Sequence, residues 1–252
     1  MPILSNSQTV DEQIPLKHLL ISLLIGSIFL SACQKEFDFM PPLIAESCPV
    51  QIDDPSGRFY SSDSLTPFFN SKKTCGLLPL NKKNYWVYRD SIFNNGVFTK
   101  VQYDTLRFVN TWQSHPDSLV WWETNISIGL PGLLYVTDSS FYEIQSSLFV
   151  PDMISAQKSF GLFAGDSIRY LTSFEDNAAF GRSIKLEGSI NSPAGNFDDC
   201  ILFEKNAPNY RRDKIYFKPG FGVVKYISEK AMPGSGTLQL QQSSILLGFH
   251  FE

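Results

Sequence analysis

From Leu77 to the end of the chain, short runs of alternating apolar and polar residues are separated by turn-forming residues. Alternation with period two is typical of β-strands that bury one face, because successive side chains point to opposite sides. The clearest pair, Tyr85–Phe93 and Val97–Val109, flanks Asn94-Asn95-Gly96. An Asn-Gly step accepts the positive φ angles of a two-residue turn, so the pattern predicts an antiparallel hairpin.

Further runs of this kind predict about ten strands in all. They cover residues 120–128, 133–137, 141–145, 168–174, 180–190, 197–205, 216–217, 223–227 and 238–251. Only residues 152–160 are compatible with a short helix, and no predicted helix is long enough to connect parallel strands. We therefore predict an all-β fold, in which an antiparallel sheet of about ten strands forms a half barrel or a sandwich.

Near the N-terminus, the apolar segment Leu19–Leu30 follows Lys17 and His18. As a helix, its 12 residues would reach ~18 Å, which is short of the ~30 Å hydrocarbon core of a bilayer. The segment therefore predicts a cleaved signal peptide and not a lasting transmembrane span.

The residues Leu30-Ser31-Ala32-Cys33 resemble the lipobox of bacterial lipoproteins. The resemblance implies that residues 1–32 are removed, that the thiol of Cys33 carries a diacylglycerol, and that its new amino group is acylated, for example with palmitate. Two or three acyl chains hold a protein on a membrane almost permanently, whereas one chain binds reversibly. The segment before the apolar run departs from the family pattern, because it is long and contains Asp11 and Glu12.

Residues 34–38 (Gln-Lys-Glu-Phe-Asp) resemble the surface-export signal of lipoproteins from the Bacteroidota. A solvated, charged tether is the alternative interpretation, and the sequence leaves both open. The membrane, reached through the lipid anchor, is the expected partner. The predicted location is the cell envelope at the outer membrane, with exposure on the outer surface depending on which interpretation holds.

The mature chain is predicted to have two parts, a tether with a loop-rich collar over residues 33–76 and a β domain over residues 77–252. The first part is rich in Pro, Ser and Asp and shows little periodicity. Cys48 and Cys75 both lie in turn-rich sequence, and the envelope is oxidising, so we predict a disulfide between them. Closing this loop of about 28 residues would stabilise the fold by roughly 3 to 4 kcal/mol.

The sequence contains no group of residues that indicates a reaction, and we expect no enzyme, catalytic residue, metal or cofactor. His115 and His250 lie in unrelated segments, which does not suit a metal site. The doublets Asp53-Asp54 and Asp198-Asp199 would place their carboxylates on opposite faces of a strand. Cys200 lies in a strand-like run, where a small buried thiol is expected. The formal net charge of −4 argues against nucleic acid as a partner.

The pair Trp121-Trp122 offers a binding hypothesis. On a strand one ring faces the core and the other faces outward, and the alternation of the run places Trp122 inside. Trp121 is then a candidate ligand contact, because an exposed indole stacks on sugars or lines an apolar pocket. The alternative is simple packing of Trp121 under a neighbouring loop.

Five triplets consist of Asp, a hydroxyl residue and an aliphatic residue. They resemble the O-glycosylation sequon of exported Bacteroidota proteins, which implies modification at Ser64, Ser91, Thr105, Ser118 and Ser167. The alternative is structural, because Asp-Ser and Asp-Thr close turns through side-chain hydrogen bonds and an aliphatic residue then begins the next strand.

Three segments, LPLNKKNYWVYRDS from Leu78, SPAGNFDDCILF from Ser192 and YFKPGFGVVKY from Tyr216, resemble blocks of uncharacterised Bacteroidota lipoproteins. The Pro-Ala-Gly and Gly-x-Gly-Val-Val-Lys parts are also similar to lipoproteins of the half-barrel, lipoprotein-carrier-like type, which implies a fold that cups acyl chains. Three hypotheses follow. The first is a non-catalytic structural or interaction module of the envelope; the second is a carrier of lipid or another apolar ligand; the third is a surface glycan-binding protein.

Overall fold

All regular structure that the computed structural model describes is β-strand. The described residues are 60–62, 64–69, 76–115, 117–144, 154–161, 169–174, 177–232 and 234–252. They contain sixteen strands: β1 Tyr60–Ser62, β2 Ser64–Pro67, β3 Tyr85–Asn94, β4 Val97–His115, β5 Val120–Thr124, β6 Leu133–Val136, β7 Ser140–Ile144, β8 Ile154–Gly161, β9 Arg169–Phe174, β10 Asn177–Lys185, β11 Ile190–Ser192, β12 Gly195–Phe197, β13 Ile201–Ala207, β14 Arg211–Lys218, β15 Gly222–Ala231 and β16 Leu238–His250.

Fourteen of the strands form one antiparallel sheet in the order β1-β8-β7-β6-β5-β4-β3-β16-β15-β14-β13-β10-β9, with β2 paired to β4. The first half of the order runs backwards along the chain from β8 to β3, and the second half runs backwards from β16 to β9. Strand β16 pairs with β3 and thereby joins the two halves. The remaining strands, β11 and β12, form a separate two-stranded sheet.

The sheet curls until strands near its two ends meet. The hydroxyl of Ser183 on β10 donates a hydrogen bond to the carbonyl of Gly161 on β8. Next to this contact, the rings of Phe160 on β8 and Phe203 on β13 are stacked with their centroids 5.1 Å apart. The predicted all-β class, with an antiparallel sheet in half-barrel or sandwich form, is confirmed.

Aromatic side chains from both halves of the sheet fill the space that the sheet encloses. Phe141 on β7 lies edge-on to Phe217 on β14, with ring centroids 5.4 Å apart. Trp86 on β3 is fully buried, and its indole N–H donates to the carbonyl of Phe221 over 3.0 Å. Trp122 belongs to the same core, as its place in the alternation predicted.

The predicted hairpin at Asn94-Asn95-Gly96 is confirmed. Strand β3 ends at Asn94 and β4 begins at Val97, and the two residues between them have φ angles of 49° for Asn95 and 78° for Gly96. Two consecutive positive φ angles define the type I′ turn, whose twist matches that of the flanking strands.

The predicted strand over residues 120–128 is shorter than expected, because it ends at Thr124. Beyond Thr124, the side chain of Asn125 makes hydrogen bonds to the backbone of β4 in place of further strand pairing. Its Oδ1 accepts from the backbone N–H of Arg107 over 2.7 Å, and its Nδ2 donates to the carbonyl of Thr105 over 2.8 Å. The chain then leaves the sheet, and residues 125–132 form a loop, here called the plug loop. Its side chains Ile128 and Leu130 are buried in the core.

The expectation of a short helix at residues 152–160 is wrong for the described part of this region, since Ile154–Gly161 forms the strand β8. Tertiary pairing overrides the local pattern: β8 is hydrogen-bonded to β7 on one side and to β1 on the other. The structure adds further short strands to the large antiparallel sheet that was predicted. Among the added strands are β1 and β2, which lie in the predicted collar.

Candidate ligand-binding site

Several predicted site residues lie outside the described part of the chain. They are Cys33, Cys48, Cys75 and Ser167. Lipidation, the disulfide and modification at Ser167 therefore stay predictions. Within the described ranges, no helix has the length and apolar character needed to cross a bilayer.

Trp121 does not present an exposed ring, so the structure supports the alternative interpretation, packing of this side chain. The residue does lie on the opposite face of β5 from Trp122, but only 1% of its surface is exposed. It belongs to a second apolar cluster with Tyr142, against which Leu65 of β2 packs. The collar strand β2, which the sequence did not predict, is part of what covers this face. A sugar ring cannot stack on a buried indole, so the structure does not support Trp121 as a ligand contact.

The described hydroxyl residues of the predicted glycosylation triplets differ in exposure. Ser64 and Ser118 are exposed, whereas Ser91 and Thr105 are half-buried within β3 and β4. The turn interpretation holds for Ser118, which has a φ of 59° and follows Asp117. Asp117 accepts hydrogen bonds from the side chain of Ser114 and from the backbone N–H of residue 119. Modification itself stays a prediction.

Cys200 is a buried thiol, as expected. It has no exposed surface, and its Sγ donates to the carbonyl of Phe197 over 3.4 Å. Burial is the largest cause that raises the pKa of Cys200 to about 11, so the thiol is protonated at neutral pH. A protonated thiol is a poor nucleophile and a poor metal ligand.

A cavity of about 250 Å³ lies beside the plug loop, and it was not foreseen from the sequence. The plug loop forms one side, and residues of β7, β8, β13 and β14, with Phe174 at the end of β9, form the others. Gly129 has a φ of +73°, and a Cβ added to it would lie 2.5 Å from Cγ1 of Ile215. Only glycine therefore lets the loop approach β14 this closely.

The side chain of Lys205 on β13 is the most informative group in this cavity. Lys205 is 7% exposed, and its ammonium lies 3.4 Å from Oε1 of Glu143 on β7 and 4.4 Å from the ring centroid of Phe174. Charge-assisted N–H···O bonds are usually 2.7 to 2.9 Å long, so the contact with Glu143 is loose. An ammonium has three donors. Among the described residues, Glu143 supplies its one hydrogen-bond acceptor.

Arg211 and Asp213 on β14 form a second charged pair in the cavity wall. Nε and Nη2 of Arg211 lie 3.0 and 2.9 Å from the two carboxylate oxygens of Asp213. The hydroxyls of Ser228 and Tyr226 complete the partners of Asp213, at 2.8 and 3.1 Å. With four hydrogen bonds this carboxylate is saturated, whereas Nη1 of Arg211 takes no part in the pair.

Electrostatics keep Arg211 charged and Tyr226 neutral in this wall. Burial lowers the pKa of Arg211, but the charge and hydrogen bonds of Asp213 raise it by more, so the guanidinium remains charged. Burial and then the charge of Asp213 raise the pKa of Tyr226 to about 12, so its hydroxyl is a neutral donor. The guanidinium also lies 4.7 Å from the ring centroid of Phe174.

Glu143 is the loosely held carboxylate of the cavity. Its two oxygens each have one described partner, Lys205 at 3.4 Å and the hydroxyl of Ser159 at 3.3 Å. A carboxylate can accept about four hydrogen bonds. The cavity therefore offers unused donors on Lys205 and Arg211 next to unused acceptor capacity on Glu143, which suits binding of a small polar molecule.

A second buried carboxyl, also unforeseen from the sequence, lies elsewhere in the sheet. Asp90 on β3 has no exposed surface and is close to Asp104 on β4 and Ser244 on β16. Burial is the largest cause that raises the pKa of Asp90 to about 6, and the neighbouring carboxyl of Asp104 raises it further. Because Asp90 has no exposed surface, its carboxyl belongs to the interior of the sheet and is not open to a ligand.

These features define an antiparallel β protein with a small, mixed-charge cavity. No protein-family model matches the chain, and no curated protein is significantly similar to it. Two solved structures are similar to it at 12% identity. One is a candidate lipoprotein of Parabacteroides distasonis (TM-score 0.34; 72% of this chain and 100% of that chain covered). The other is a candidate exported protein of Bacteroides fragilis with a YmcC-like fold (TM-score 0.32; 69% and 99% covered).

Proposed function

We propose that this protein is a lipid-anchored, non-catalytic module of the cell envelope that binds a small, polar, anion-bearing solute. The anchor is the lipid on Cys33, supported by the lipobox resemblance. The binding site is the cavity between the plug loop and strands β7, β8, β13 and β14. One observation carries the binding role: a buried ammonium, that of Lys205, has donors to spare beside this cavity.

Burying a charge is costly unless it is paired and hydrogen-bonded. For Lys205, the single 3.4 Å contact with Glu143 offsets only part of the free-energy cost of removing its ammonium from water. A bound carboxylate or phosphate oxygen would complete the shell of the ammonium, and Arg211 lies on the same wall to assist it. Water can fill the same role, so the proposal requires a solute to compete with it.

Two alternative functions have less support in the described residues. A lipid carrier needs an open apolar interior, but aromatic rings of β7, β8, β13 and β14 pack against one another across this interior. The cavity described above is lined by charged side chains as well as apolar ones. A glycan-binding platform built on Trp121 would require an exposed ring.

The test is calorimetric titration of the full chain, purified in detergent, with acetate, propionate, phosphate and alanine. We expect saturable binding of at least one of these solutes. It should be lost in Lys205→Met and kept in Lys230→Met, whose lysine lies exposed on β15. Absence of binding for all four solutes, or equal binding by both variants, contradicts the proposal.

A further inference from the structure

We infer that the ligand of this cavity is a small zwitterion of the α-amino acid type, with its carboxylate on Lys205 and its ammonium on Glu143. The inference deepens the proposed function and depends on it, since it specifies the solute for the same cavity. It adds a requirement that a simple anion does not meet: the ligand must carry a positive charge next to its negative one.

The charges of the cavity wall balance. The wall contains two cations, Lys205 and Arg211, and two anions, Glu143 and Asp213. It is therefore neutral before a ligand enters. A ligand with a net charge would leave one charge uncompensated among side chains that are largely buried, which is unfavourable. A zwitterion satisfies the spare donors and leaves the site neutral.

The two loosely held groups lie at a distance that suits a zwitterion. Nζ of Lys205 and Oε1 of Glu143 lie 3.4 Å apart, side by side at the cavity. The carboxylate and ammonium of an α-amino acid are likewise separated by only one carbon atom. An amino acid that lies beside this pair can therefore place its carboxylate next to Lys205 and its ammonium next to Glu143 at the same time. Both protein groups have unused hydrogen-bonding capacity for this arrangement.

The hydrogen bonds that Asp213 already accepts explain why the ligand ammonium would approach Glu143 and not Asp213. Asp213 already receives four hydrogen bonds, two of them from Arg211. A ligand ammonium gains little from an acceptor whose sites are filled. Glu143 receives two long hydrogen bonds, so it can accept a shorter bond from the ligand.

The remaining lining sets the size of the ligand. Leu130, Phe160 and Ile215 supply an apolar wall beside the charged groups. A cavity of about 250 Å³ is smaller than the ~300 to 1,000 Å³ of most ligand pockets. This suits an amino acid with a short aliphatic side chain.

The experiment compares L-alanine with two molecules that each lack one of its charges, propionate and L-alaninamide. The full chain in detergent is titrated by calorimetry with each compound at pH 7. We expect alanine to bind at least tenfold more tightly than either of the others. Glu143→Gln keeps the shape of the side chain and should weaken alanine binding at least tenfold. Propionate should bind at least as tightly as to the parent, because the wall of the variant carries one net positive charge. Lys205→Met should abolish both, and Lys230→Met should change neither.

The outcomes separate the two claims. If propionate binds as tightly as alanine, and Glu143→Gln has no effect, the cavity takes a simple anion; the zwitterion inference is then wrong and the proposed function stands. If phosphate or acetate binds through Lys205 and alanine does not, the same conclusion follows. If no compound binds in a way that depends on Lys205, both claims fail. Melting temperatures of the variants within a few degrees of the parent exclude unfolding as the cause.

Discussion

Gly129 is the residue on which the position of the plug loop depends. Its φ of +73° disfavours any side chain, and a Cβ would meet Ile215 at 2.5 Å and Tyr226 at 2.8 Å. We expect Gly129→Ala to destabilise the protein by about 2 to 4 kcal/mol, because backbone strain and overpacking add. Urea denaturation measures this loss.

The control for Gly129 is Gly188, which has a φ of +86° and no atom within 4 Å of the position that a Cβ would take. Gly188→Ala should cost only the backbone strain, about 1 kcal/mol. Equal losses for the two variants would show that the plug loop is not packed against β14 as described.

Asp90 makes the stability of the sheet depend on pH. Burial raises its pKa from 3.8 to about 6 in the folded protein. A carboxyl with a raised pKa binds its proton more tightly when folded, so its stabilising effect is complete below pH ~4 and is lost as the pH rises through about 6. Between pH 5 and pH 8 the parent should therefore lose about 1 to 3 kcal/mol of its free energy of unfolding through Asp90. Asp90→Asn should not show this loss.

Urea denaturation at the two pH values tests this difference. The control is Asp198→Asn, which alters an exposed carboxylate and should leave the pH dependence as it is in the parent. If Asp90→Asn and the parent lose equal stability between pH 5 and pH 8, the carboxyl of Asp90 does not titrate in this range.

At the scale of elements, the turn between β3 and β4 is the best-defined local structure. Gly96→Val should destabilise the hairpin by about 1 to 2 kcal/mol, because valine strongly disfavours the φ of 78° that the turn requires. Asn95→Gly, in contrast, should change stability by less than ~0.5 kcal/mol, since glycine accepts a positive φ. Thermal denaturation compares the two variants, and equal melting temperatures would contradict the type I′ geometry.

This turn and the alternating runs could be predicted from the sequence because their causes are local. The Asn-Gly step determines its own backbone angles, and alternation assigns the faces of a strand. The strand β8 could not be predicted from its own residues, since it depends on pairing with β7 on one side and with β1, which is distant in sequence, on the other. Packing of Trp121 was an alternative that the sequence offered, but its packing partner Leu65 on the collar strand β2 could not be predicted from the sequence around Trp121.

The charged cavity did leave a signal in the sequence, but a weak one. Alternation places Lys205 on the same face of β13 as the buried Phe203, and it places Asp213 on the same face of β14 as the buried Ile215. A charged residue at an inward position indicates a buried pair or a site. Which charges meet across the sheet depends on how β7 and β13 approach through the curl of the sheet, and this is not encoded in either strand alone.

At the scale of the whole molecule, the proposed lipid on Cys33 determines where the domain is located. We expect the parent protein to fractionate with membranes and to incorporate labelled palmitate in its host. Cys33→Ser should abolish the label, because serine has no thiol to accept a diacylglycerol. The control is Cys200→Ser, which changes a buried thiol of the domain and should keep the label. Labelling of Cys33→Ser would contradict the anchor.

In the proposed function, the lipid anchor holds the β domain at the cell envelope, and the cavity binds a small solute there. The fold supports the site in a simple way, since one curled sheet brings Glu143 of β7 to Lys205 of β13 and the plug loop closes the space beside them. A ligand of this cavity should therefore occupy one definite position.

The most direct test is the crystal structure of the protein grown with L-alanine at saturating concentration. We predict alanine in the cavity, with a carboxylate oxygen within ~3.2 Å of Nζ of Lys205 and the ammonium within ~3.2 Å of a carboxylate oxygen of Glu143. A cavity that contains only water under these conditions, or alanine bound in the reverse orientation, would contradict this prediction.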